Sequence, residues 1–142
     1  MKSKFFAIRH QPVDVDLVLL LIRIICGYAF ILHGWGKIQD PLNWMGNESP
    51  IPGVFQALAA ISEFGGGIAL ILGLLTRLGA LGIGCTMVVA IVMHRFVLGD
   101  PFVNLEGGRS YEPASVYLLF ALLLVILGPG RFSLDRTLFG VK

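Results

Sequence analysis

The stretch from Leu17 to Lys37, LVLLLIRIICGYAFILHGWGK, limits what this chain can become more than any other part of it. A helix rising about 1.5 Å per residue needs about 20 apolar residues to cross the roughly 30 Å hydrocarbon core of a bilayer, and this stretch is that long. It reads as a membrane span with a charge, Arg23, well inside it and a polar cluster, His33, Gly34, Trp35, Gly36 and Lys37, at its far end. An arginine at the bilayer centre costs about 2.5 to 3.5 kcal/mol on insertion scales, so it should face a bundle interior and be paired. Other segments must supply the partner.

Composition agrees with a membrane chain: 56% of the 142 residues are hydrophobic and only 14% are charged. The net charge of +2 comes mostly from the two tails and one short loop, not from a basic face, so nucleic-acid binding is not indicated. The N-terminal MKSKFFAIRHQPVDVD has the positive flank of a signal peptide. The apolar run after it, however, exceeds the roughly 7 to 15 residues of a signal core, contains Arg23 and has no small-residue cleavage site, so it is expected to stay as the first helix. Cys26 and Cys85 lie in apolar segments without C-x-x-C spacing and read as small buried hydrophobes.

Four apolar segments are predicted, at about 15–35, 54–75, 78–97 and 112–127, within one domain spanning 1–142. Asp40-Pro41 and the run Asn47, Ser49, Pro50, Pro52, Gly53 break the first from the second, and Gly99-Asp100-Pro101 with Gly107-Gly108 break the third from the fourth. The link Leu75-Thr76-Arg77-Leu78 is so short that the helices it joins must be antiparallel neighbours. Gly128-Pro129-Gly130 stops the last helix. The fold expected is all-α, a transmembrane four-helix bundle running up-down-up-down. Basic residues orient it: Lys2, Lys4, Arg9, Arg77, Arg131, Arg136 and Lys142 on one side, against Lys37, Arg95 and Arg109 on the other. That bias puts both termini in the cytoplasm, with Trp35 and Trp44 as an aromatic belt at the outer boundary.

Small residues mark the packed faces, since in lipid they let backbones approach closely. Gly82, Thr86, Ala90 and His94 fall four apart on the third helix and should face the bundle. Glu63, in SEFGGG, is the second intramembrane charge. Counted at about 1.5 Å per residue, its depth and that of Arg23 differ by only about 4 Å, so the two are expected to pair. Such a pair is either a polar site whose arginine binds an anionic or carbonyl group or a structural pair that fixes helix register. His33, His94 and Glu112 should reach similar depths at the outer face. There they could act as hydrogen-bond partners for a redox ring or a proton path, or as weak candidates for a metal site, although none has a local metal-ligand spacing. No metal is therefore assigned.

These motifs resemble the DoxX family of small four-helix membrane proteins. The resemblance runs from Leu20 to Asp135 and rests on LLIRIICGYAFILHGWGK, EFGGGIALILGLLTRLGA, YEPASVYLL and GPGRFSLD, in that order. By it, Arg23, His33, Lys37, Glu63, Arg77 and Glu112 match recurring polar positions of the family. The third loop, FVLGDPFVNLEGGRSYE, is longer than the brief glycine-rich link of the family pattern. The resemblance implies a link to quinol oxidase or other membrane oxidoreductase chemistry, with quinone as the cofactor to look for, since the sequence holds no haem, flavin or iron-sulfur motif.

The expectation is thus a multi-pass inner-membrane protein, a small subunit or accessory of a quinone-linked respiratory or redox complex. Its partners would be the lipid bilayer and membrane or peripheral redox subunits. Arg23, Glu63, His33, His94, Glu112 and Lys37 are its candidate quinone-binding residues, and no catalytic residue can be named. A non-catalytic assembly or stabilising subunit and a small-molecule or proton carrier remain as alternatives.

Overall fold

A computed structural model describes residues 11–140. The helices are α1 (Val13–Gln39), α2 (Gly53–Leu72), α3 (Thr76–Val92), α4 (Glu112–Leu127) and a short α5 (Leu134–Phe139). Beyond α3 the chain continues helically through a wider π turn, Met93–Val97. No strand occurs among the described residues. Val13–Gln39, Gly53–Leu72 and Thr76–Val97 are long and apolar enough to cross a membrane, and Glu112–Leu127 is a shorter apolar helix. Helix α1 runs past the segment drawn at 15–35, which carries Lys37 onto its last turn, where a cation suits the negative end of the helix dipole. Lys2, Lys4, Arg9 and Lys142, four of the charges used to orient the chain, lie outside the described residues.

Helix α1 packs along α2, α2 on α3 and α3 on α4, with a thinner seam between α1 and α4. The first contact is backbone on backbone. A Cβ placed on Gly67 would sit 2.7 Å from the Gly27 carbonyl oxygen, and one on Gly34 would sit 2.5 Å from the Phe64 nitrogen. Only glycine admits that approach, the small-residue packing expected where lipid offers no hydrophobic drive between helices. Leu19, Phe30, Leu70, Ile83, Met87 and Leu124 fill the core between these surfaces.

At the end of the bundle holding the α2–α3 turn, most of the buried charges form a clasp. The Arg23 guanidinium donates to the Leu70 and Ile71 carbonyls at 2.9 and 3.2 Å, two of the last four carbonyls of α2. It also donates to Pro129 and Phe132 at 2.8 Å each, tying in the segment after α4. Asp135 accepts from the Leu75 and Thr76 amides at 2.6 and 2.9 Å, capping α3 and holding Leu75 at φ 49°. Asp16 accepts from Arg131 Nε at 2.5 Å and from the Arg131 amide at 3.0 Å. GPGRFSLD is therefore a strap across the helix ends, anchored by Arg23, Asp16 and the α2–α3 turn.

The pairing of Arg23 with Glu63 expected from their depths does not occur. Backbone carbonyls, a partner class that depth matching ignores, satisfy the arginine, while Glu63 bonds to Lys37.

Candidate functional site

Helices α2 and α3 approach closely through Gly66 with Gly79 and, at mid-helix, through Ser62 with Gly82, where a Cβ on Gly82 would meet Ser62 Oγ at 3.0 Å. Beyond Ser62 a cavity of about 770 Å³ lies between them, closed on one side by the 40–52 loop. Its α3 wall includes Gly82, Thr86, Ala90 and His94, the stripe singled out in the sequence, so what the small residues face is this cavity. Phe55, Leu58, Val89 and Met93 make most of the rest apolar.

The polar groups are few and ordered. Both Glu63 oxygens lie 2.6 Å from Lys37 Nζ, with the Glu63 side chain 3% exposed and that of Lys37 23% exposed. The Lys37 ammonium also stands 4.6 Å from the centre of the Trp44 ring, a cation–π contact that holds it at the cavity wall. Two of its three N–H donors are directed to the carboxylate, so one is left over. Gln56, buried, accepts from the Met45 amide at 3.0 Å and donates to the Ile51 carbonyl at 2.9 Å, while its own carbonyl accepts from Trp44 Nε1 at 3.0 Å. These three bonds staple the loop over the cavity. Trp44, assigned from sequence to an outer belt, is thereby turned into the wall.

At the other end His94 Nδ1 lies 2.7 Å from Asp100 Oδ2, and Arg109 Nε lies 3.6 Å from Asp100 Oδ1. Local backbone produces this contact. The π turn widens the helix at His94, and Gly99, at φ 72°, reverses the chain so that the Asp100 amide donates to the His94 carbonyl at 2.8 Å.

Lys37, Glu63 and His94 therefore line one cavity, and the other candidates do not. Arg23 belongs to the clasp. His33 lies against Tyr117 and Phe30, ring centroids 6.5 and 6.3 Å away, on the α1–α4 side. Glu112 opens α4, its amide bonded to the Phe102 carbonyl at 3.0 Å. The expected convergence of His33, His94 and Glu112 on one mouth is not formed: His94 lines the α2–α3 cavity and bonds to Asp100, while His33 and Glu112 lie outside that lining. Among the described residues no three of His, Cys, Asp and Glu are grouped to hold a metal. Cys26 is buried, but Cys85 is exposed on the cavity wall.

The DoxX family model matches residues 18–95, which takes in most of α1, all of α2 and α3, and every cavity residue named so far. Over 130 residues the chain is 35% identical to inner membrane protein YqjF of Escherichia coli K12, covering 87% of this chain and 93% of that protein. This chain belongs to the DoxX family. It is also 32% identical over 127 residues to inner membrane protein YphA of the same organism, covering 84% and 89% of the two chains. With putative oxidoreductase CatD of Bacillus subtilis 168 it shares 27% identity over 130 residues, covering 89% and 91%. No solved structure matches it. With these relatives and its long apolar helices, this DoxX-family chain is a multi-pass protein of the bacterial inner membrane.

Two positions that shape the site escaped the sequence reading. Gln56 sits seven residues before Glu63, two turns along the same face of α2, and that spacing was a usable signal. Asp100 carried none, because its meeting with His94 depends on a π turn that no periodicity announces.

Proposed function

We propose that this protein binds a lipid-soluble quinone or quinol in the α2–α3 cavity and serves as a small membrane subunit or accessory of a quinone-linked redox complex. The observation that carries the reading is the cavity itself: about 770 Å³, mostly apolar, within helices of membrane-spanning character, with a buried ion pair in its wall. Ligand sites of this kind combine apolar walls with a few fixed polar groups. A quinone ring with an isoprenoid tail matches both parts, its tail among Phe55, Leu58 and Val89 and its ring oxygen near the spare Lys37 donor. Because Glu63 neutralises Lys37, the site favours an uncharged ring over an anion. The relative named as a putative oxidoreductase supports a redox setting. Electrons must come from or go to a partner subunit, since the chain's own groups here are acid–base groups.

On this reading all four long helices span the membrane, both termini are cytoplasmic, and the cavity occupies the outer half of the bundle. The clasp then lies at the cytoplasmic end with Arg77, Arg131 and Arg136. A second reading, a non-catalytic stabilising subunit, draws on that clasp, in which Arg23, Asp16 and Asp135 serve structure alone. Purification in mild detergent separates the two. Quinone retained in stoichiometric amount supports the first, whereas a large co-purified partner with no quinone supports the second and overturns the first.

A further inference from the structure

We infer that Asp100 sets the specificity of the cavity by fixing His94 as a hydrogen-bond acceptor, so that the site prefers a ligand offering a ring hydroxyl over one offering only a carbonyl. The inference rests on the quinone-class reading and adds which redox form the cavity holds more tightly. An ionised carboxylate can only accept, so the 2.7 Å contact between His94 Nδ1 and Asp100 Oδ2 places the proton on Nδ1. In the neutral ring Nε2 then carries a lone pair and no hydrogen, and it is the ring nitrogen left for the cavity that His94 lines.

The arrangement is built rather than incidental. Asp100 is tied to His94 twice, by side chain and by its amide to the His94 carbonyl at 2.8 Å, and Gly99 at φ 72° makes the reversal that allows both. Arg109 Nε lies 3.6 Å from the other carboxylate oxygen, Asp100 Oδ1, so the Oδ2 that meets His94 belongs to a side chain held on both sides. The other charged groups at the cavity, Lys37 and Glu63, are bonded to each other. Lys37 offers a donor, which either redox form accepts through oxygen. His94 offers an acceptor, which only the hydroxylated form satisfies. Against a carbonyl, Nε2 would face a second lone pair, and an acceptor covered by a ligand that offers it no donor forgoes about one hydrogen bond.

The test measures binding of decyl-substituted benzoquinone and of the corresponding benzoquinol to the purified full chain in lipid nanodiscs. Anaerobic buffer at one fixed pH for all samples keeps the quinol reduced. The wild type should bind the quinol about tenfold more tightly, one hydrogen bond's worth. Asp100→Ala releases the ring to present either nitrogen and should bring the ratio near one, with quinone affinity little changed. A merely structural Asp100 would weaken both forms alike and leave the ratio standing, which overturns the inference while the quinone-class reading survives. Binding of neither form by the wild type overturns both. Should Asp100→Ala not fold, the ¹⁵N spectrum of histidine-labelled wild type gives the decision: a protonated Nδ1 with an unprotonated Nε2 at His94 supports the assignment, and the reverse tautomer overturns it.

Discussion

Arg23 has four carbonyl acceptors on two separate segments, and that geometry makes it irreplaceable by a point charge. Arg23→Lys should reach one segment but not both, and Arg23→Leu leaves several buried carbonyls without donors, at about 3 kcal/mol or more in total. Both are expected to lower the melting temperature in detergent, the leucine variant more. Lys37 and Glu63 behave differently, because each is the other's main partner. Lys37→Met and Glu63→Leu should each destabilise, the double change should recover part of the loss, and the coupling should be about 1 to 3 kcal/mol. The same cycle run on Arg23 and Glu63 should give a coupling near zero. These expectations measure how much was legible in the residues. That Arg23 and Glu63 must be satisfied follows from charge in an apolar run, but their partners do not. Depth along a helix fixes height and says nothing of azimuth, and a hydrogen-bonding carbonyl leaves no mark in the sequence.

At the scale of the helices, glycine spacing was the readable part, since Gly66 and Gly67 of SEFGGG and Gly82 mark close approaches that exist, while the rest of the Gly82 stripe faces the cavity. Gly67→Val should separate α1 from α2, because its side chain would meet the Gly27 carbonyl and Ile31. Loss of folded yield is expected, whereas Gly36→Ala, with open space around it, should be tolerated. The strap after α4 is an element-scale device of another kind. Asp135→Ala removes the acceptor for two amides at the start of α3 and should cost about 1 to 2 kcal/mol, the usual loss for a helix cap, read as a lower melting temperature. GPGRFSLD was legible as a helix stop. Its folding back onto Arg23 and Asp16 was not, because contacts more than 100 residues apart along the chain have no local signature.

For the whole molecule, the helices divide labour between their two ends. One end is closed by buried charges bonded to backbone, and the other diverges around a cavity with a neutralised ion pair and an oriented histidine. Reporter fusions at residue 142 should read as cytoplasmic, which would put the clasp inside and the cavity toward the outer side; an external reading would reverse both. The central claim is that the α2–α3 cavity is where a quinone-class ligand sits. The most direct measurement is quinone extracted from purified wild type and from Ala90→Trp, whose indole would fill the space beside Thr86 and His94. The account expects roughly one quinone per wild-type chain, as a single formed pocket would hold, and its loss from Ala90→Trp at unchanged helicity and melting temperature. Wild type without quinone, or equal quinone in both proteins, would contradict it.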